Sequence, residues 1–109
     1  SVLSGDDNIT LDLIKEGGKG VISVASNIAP NRMVNMVKAA LNNNMEEAEK
    51  LNNELAQLFE YEFIETNPIP MKFMLSQKGM CKEVYRLPMC ELSKDHKEEV
   101  KKVMQDLNL

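Results

Sequence analysis

Several groups of residues have types and spacings that could do chemistry. Asp6, Asn8, Thr10 and Asp12 alternate as oxygen ligands around a calcium ion would. An EF-hand loop also needs Gly at its sixth position and Glu at its twelfth. Counted from Asp6, those places hold Leu11 and Gly17, so the side chains read as helix caps, with Asp7 or Asn8 as the capping residue. Gly17-Gly18-Lys19-Gly20 is rich enough in glycine to cradle a phosphate. It lacks the P-loop spacing, and the apolar run behind it predicts a strand where a phosphate loop needs a helix. It therefore reads as a helix-to-strand turn. Lys72 could form an imine only in a desolvated pocket. Its place early in a predicted Pro-opened helix makes it a surface lysine. His96 lies among Lys94, Asp95, Lys97 and Glu98 and reads as solvated. The neighbouring sequence supplies neither a Ser-His-Asp nor a Cys-His arrangement. Cys81 and Cys90 are nine positions apart. They would pair only if the chain between them folded back, and one bridge makes no disulfide framework. With His96 they make three ligands, short of the four of a structural zinc site. No metal and no cofactor is expected.

The elements that must carry these residues begin with two short apolar runs. Residues 2–5 and 20–26 read as strands, the second apolar on both faces, as in a covered parallel sheet. Between them, residues 9–16 predict a helix with Ile9 and Leu13 inward, Leu11 and Ile14 as further candidates, and Gly17-Gly18 as its stop. This is one βαβ unit. Helices follow. Pro30 opens one carrying Met33, Met36, Val37, Ala40 and Leu41 at helical spacing. After the break at Asn42-Asn43-Asn44, residues 45–65 predict a long helix with Ala48, Leu51, Leu55, Leu58 and Phe59 as its stripe. Asn67 and Pro68 start another, through Met71 and Leu75 to Gly79. Residues 80–92 read as an extended connector. Ser93 caps a last helix with Val100, Val103, Met104 and Leu107 inward.

A chain of 109 residues suits one small domain. Its 43% hydrophobic and 28% charged residues are those of a water-soluble globular protein. Eight methionines favour adaptable helix packing over a tight β-sandwich. The net charge of −4 leaves no basic footprint for nucleic acid. No apolar run reaches the length, about 18 residues, of a membrane span, and a cytoplasmic location is expected. The sequence opens inside a predicted strand without an initiator Met, which predicts a piece of something larger.

Four stretches go further: Leu3-Ser4-Gly5-Asp6-Asp7, Gly17-Gly18-Lys19-Gly20-Val21-Ile22-Ser23-Val24, Asn67-Pro68-Ile69-Pro70-Met71-Lys72 and Arg86-Leu87-Pro88-Met89. In this order and spacing, over essentially the whole chain, they resemble the C-terminal part of the dihydrodipicolinate synthase family. Related pyruvate-dependent lyases and aldolases share the scaffold, but the second and third stretches favour the synthases.

The resemblance implies an α/β origin: the last two strand-helix units of a TIM barrel, residues 1–44, followed by a C-terminal helical domain, residues 45–109. As an isolated piece the chain is expected to be predominantly α-helical. The resemblance further implies the condensation of pyruvate with aspartate semialdehyde, on the route to lysine and diaminopimelate. Pyruvate would be held as an imine on a lysine, served by a tyrosine and threonine proton relay. In the family that lysine and relay lie on earlier strands and loops, so this chain by itself is expected to be inactive and to hold no catalytic residue. Its share of the pyruvate site would be pocket wall: Gly5, where the backbone approaches closely, and Ile22, an apolar cover. The family's lysine-feedback site is also upstream. In tetrameric members the helix matching residues 9–16 lies at a subunit contact, and unpaired strand edges predict self-association. The alternative is a non-catalytic helical interaction module.

Overall fold

A computed structural model describes residues 1–109. Two very short strands, β1 (Leu3–Ser4) and β2 (Gly20–Val21), pair in parallel, with Leu3 opposite Gly20 and Ser4 opposite Val21. Backbone bonds extend the ladder at both ends, from the Lys19 amide to the Val2 carbonyl (2.8 Å) and from the Ile22 amide to the Ser4 carbonyl (2.9 Å). The strand expected over residues 20–26 is thus much shorter. After Val24 the backbone turns into a single 3-10 turn, Ala25–Asn27.

The link between the strands is a 3-10 turn, Asp7–Ile9, running into helix α1 (Thr10–Lys15). Leu11 and Ile14 are buried on it, whereas Ile9, expected inward, is half exposed. Ile9 belongs to the preceding 3-10 turn, whose pitch differs from the α-helical spacing on which the expectation rested. Two glycines end the helix for different reasons. Gly17 has φ +99°, and Gly18 approaches so closely that a Cβ there would lie 2.8 Å from the Leu13 carbonyl oxygen.

Helices α2 (Pro30–Leu41), α3 (Met45–Tyr61), α4 (Ile69–Gln77) and α5 (Lys94–Asp106) follow. Asn44 caps α3 by accepting from the Glu47 amide, and Ser93 caps α5 by accepting from the His96 amide, as the sequence predicts for Ser93. Asn67 makes no such cap. Helix α4 begins at Ile69, whose amide bonds to the Thr66 carbonyl. Segment 80–92 carries no regular element.

The core is helical. Fifteen buried side chains form one cluster, among them Met33 and Met36 of α2, Leu55 and Leu58 of α3, Phe73 and Met74 of α4, and Val100 and Met104 of α5. A smaller cluster joins Leu11 and Ile14 to Ala40 and Ala48. It ties the strand-helix-strand unit to α2 and α3.

Candidate functional site

The parallel register brings the two sequence-predicted wall residues together. One position beyond each strand come Gly5 and Ile22, and the bond from the Ile22 amide to Ser4 puts them at the same level of the sheet. Both lie at the C-terminal ends of parallel strands, where barrel enzymes place their active sites. Gly5 is exposed and a Cβ there would meet nothing within 4 Å, while Ile22 is 70% exposed. An isoleucine so exposed at a strand end is not core, and nothing in this chain covers it.

Behind this edge the turn after β1 is fixed by its own polar groups. The Ser4 hydroxyl donates to the Asp6 carbonyl (2.6 Å) and accepts from the Asp6 amide (3.2 Å). The Thr10 hydroxyl, fully buried, donates to the same carbonyl (3.0 Å). No group of three or more His, Cys, Asp or Glu side chains is placed to hold a metal ion. Asp7 does cap, but not its own helix. Its Oδ2 accepts from the amides of Val24 (3.0 Å) and Ala25 (2.8 Å), seventeen and eighteen residues on, at the start of the turn Ala25–Asn27. The loops that carry Gly5 and Ile22 are thereby bolted together by one carboxylate.

Asp7 is buried, and so is Glu62, which follows the last turn of α3. The carboxyl of Glu62 is pushed up to about 9, first by burial and then by the neighbouring Asp7 carboxyl. Sequence reasoning missed this residue, although a signal existed. Leu51, Leu55, Leu58 and Glu62 are spaced four, three and four apart, so Glu62 lies on the apolar stripe.

Elsewhere the structure gives partners to two residues read as unattached. His96 keeps part of its ring in solvent but is not free. Its Nδ1 lies 2.6 Å from Glu65 Oε2, which also accepts from the Ser93 amide (3.0 Å). The Ser93 amide and His96 hold the Glu65 carboxyl below the usual carboxylate range. The contact spans 31 residues, beyond the reach of local pattern. Lys72 is not a free surface lysine, since its ammonium donates to the Val84 carbonyl and sits 5.5 Å from the centre of the Tyr85 ring, pinning the connector to α4. Cys81 and Cys90 are both free.

An open groove of about 390 Å³ runs between the strands and α2, lined by Leu3, Val21, Met33, Val34 and Val37 among others. No helix is long and apolar enough to cross a membrane.

Comparison with known proteins gives one answer. The sequence model of the Dihydrodipicolinate synthetase family matches residues 1–107. The 4-hydroxy-tetrahydrodipicolinate synthase of Methanocaldococcus jannaschii is 47% identical over all 109 residues, which make up 38% of that protein. A crystal structure of dihydrodipicolinate synthase from Aquifex aeolicus superposes with a TM-score of 0.98 at 42% identity, covering 100% of this chain and 37% of that one. The Acinetobacter baumannii synthase, solved in complex with pyruvate, superposes with a TM-score of 0.95 at 35% identity, over 99% of this chain and 37% of its own. The chain thus spans little more than a third of the length of the relatives it matches.

Proposed function

The chain belongs to the dihydrodipicolinate synthetase family, and on that premise we propose that it supplies the closing wall of a pyruvate site and the helical buttress behind it. Its fold is that of the C-terminal part of the family's TIM barrel. Residues 1–44 act as the last two strand-helix units and residues 45–109 as the appended helical domain. The complete enzyme condenses pyruvate with aspartate semialdehyde through a lysine imine, and the lysine and proton relay come from the preceding two-thirds of such a chain.

The observation that carries this reading is the pair Gly5 and Ile22, level with each other at the C-terminal ends of two parallel strands and left uncovered by the chain itself. An imine carbon must shed water as charge develops on the adjacent methyl carbon, and an apolar side chain at the rim favours that. Gly5 leaves room for the substrate to approach backbone, with no Cβ in the way. The open groove beside α2 fits the same reading, as the place a neighbouring barrel element would fill. Lys72 is not set up as the nucleophile, being engaged with Val84 and Tyr85.

The test is borohydride trapping of pyruvate, followed by intact mass. The chain alone should trap none. Fused behind the upstream portion of the M. jannaschii synthase, it should yield one trapped pyruvate per chain. Trapping by the isolated chain, or none by the fusion once it is shown folded, would overturn the proposal. A second reading, a free-standing helical interaction module, is favoured by the core of fifteen buried side chains, all of them from helices and adjoining loops. It predicts that the fusion gains no activity.

A further inference from the structure

Glu62 is fully buried, and neither of its carboxyl oxygens meets a donor, nor does Oδ1 of Asp7. The turn that carries Asp7 packs against α3, and the Asp7 carboxyl is the nearest charge acting on Glu62. The charged groups that face Glu62 are Asp7 and, beyond it, Asp6, both acidic and both from the turn after β1. The segment packed behind Asp7, Ala25–Asn27, carries no charge, and the chain neighbours of Glu62 are Tyr61 and Phe63. Ionising both carboxyls here would set two negative charges side by side, away from water and without a cation. Leaving them charged would also strand three acceptor oxygens without donors. One arrangement removes the paired charge and most of the second penalty: a protonated Glu62 becomes the donor that Asp7 Oδ1 lacks, leaving a single neutral carboxyl oxygen without a donor.

We propose that Glu62 and Asp7 share one proton, Glu62 donating its carboxyl O–H to Asp7 Oδ1 while Asp7 Oδ2 holds the amides of Val24 and Ala25, and that this latch positions the wall formed by Gly5 and Ile22. The last clause rests on the pocket assignment made above; the latch itself does not. Asp7 is the pivot. One of its oxygens reaches back to the end of α3, and the other crosses to the loop after β2. Loss of the proton would leave Asp7 facing a second carboxylate, pushing it off the two amides it accepts from and freeing the segment that follows Ile22. Glu62 is thus a positioning residue that acts through Asp7, and it makes the geometry of the wall sensitive to alkaline pH.

The experiment is a carbon-13 carboxyl titration of the 109-residue chain labelled in glutamate, with the amide nitrogen shifts of Val24 and Ala25 followed in the same samples. The Glu62 signal should titrate near pH 9, and the two amides should shift with the same midpoint. Glu62→Gln keeps a donor to Asp7, so it should abolish the amide titration while retaining the acid-side positions of both amides. Glu62→Ala should displace those amides at every pH. Asp7→Asn can itself donate to an ionised Glu62, so it should bring the Glu62 titration down by more than one pH unit. Titration of Glu62 in the ordinary carboxylate range of about 4 to 5, or amides that ignore it, would overturn the latch. A fusion enzyme that fails to trap pyruvate refutes the pocket assignment instead, because none of these shifts depends on activity.

Discussion

Glu62 and Glu65 stand three residues apart and respond to pH in opposite directions. The Glu62 carboxyl is raised in the folded chain, so its contribution is fully present below its unfolded value near 4.5 and is lost as pH rises toward about 9. Glu65 is lowered, chiefly by the Ser93 amide and also by His96, so its contribution is present above the unfolded value and is lost as pH falls through the folded one. Thermal unfolding across pH should therefore show an alkaline slope that Glu62→Gln flattens and an acid slope that Glu65→Gln flattens, each variant leaving the other slope intact. Asp7→Ala is a harsher change. It strips the acceptor from a buried amide at Ala25 and a half-buried one at Val24, and should cost roughly 2–4 kcal/mol in urea unfolding. Asp7 was legible as a capping residue, but the helix it caps was not, because the partner amides lie seventeen and eighteen residues on. Gly5 and Ile22 became candidates only through family resemblance. Composition and periodicity treat an isoleucine in an apolar run as core, and only the structure shows that this one points into open space.

The helices were legible to within a few residues, because each is held by the stripe that announces it. Leu55, Leu58, Val100 and Val103 are all buried, and Ser93 caps α5 as its place before the helical stripe suggests. Ser93→Ala should lower stability by about 1 kcal/mol, measured by denaturant unfolding, through loss of that cap. The strands were less legible. An apolar run of seven residues reads as a strand wherever it lies, yet only Gly20–Val21 pairs as one, since a parallel ladder is as long as its partner and β1 has two residues. The turn Gly17-Gly18 was legible as a stop, but the reason for its second glycine is a close approach to the last turn of the helix that spacing alone does not show. Gly18 donates to the Leu13 carbonyl at 2.8 Å, and an added Cβ would lie as close to the same oxygen. Gly18→Ala must move backbone to fit and should cost about 1–3 kcal/mol, visible as a lowered Tm. It should also shift the amide of Lys19, which opens the ladder to Val2.

The molecule divides its stability unevenly, and its behaviour in solution follows from that. The helices and the loops between them enclose a core of fifteen buried side chains, while the strand pair has one partner apiece and two open edges. The radius of gyration is 14.5 Å with extents of 41 × 28 × 21 Å, against about 13 Å for a compact chain of this size. Two strands cannot close into a barrel, whose tilt and stagger require a full circle of neighbours. Each edge of the pair presents unpaired amides and carbonyls beside half-exposed or exposed apolar side chains, Val2, Leu3 and Ile22. Such an edge is a template for another chain. The 109-residue chain should therefore self-associate through its N-terminal third. Light scattering behind size exclusion should give a mass that rises with concentration. A lysine in place of Leu3, which faces the open groove beside α2, should return the chain toward monomer while leaving the helical circular dichroism unchanged. A wild-type chain that stays monomeric at high concentration would mean that the edges are closed in some other way, and the barrel-wall assignment of β1 and β2 would lose its simplest physical consequence.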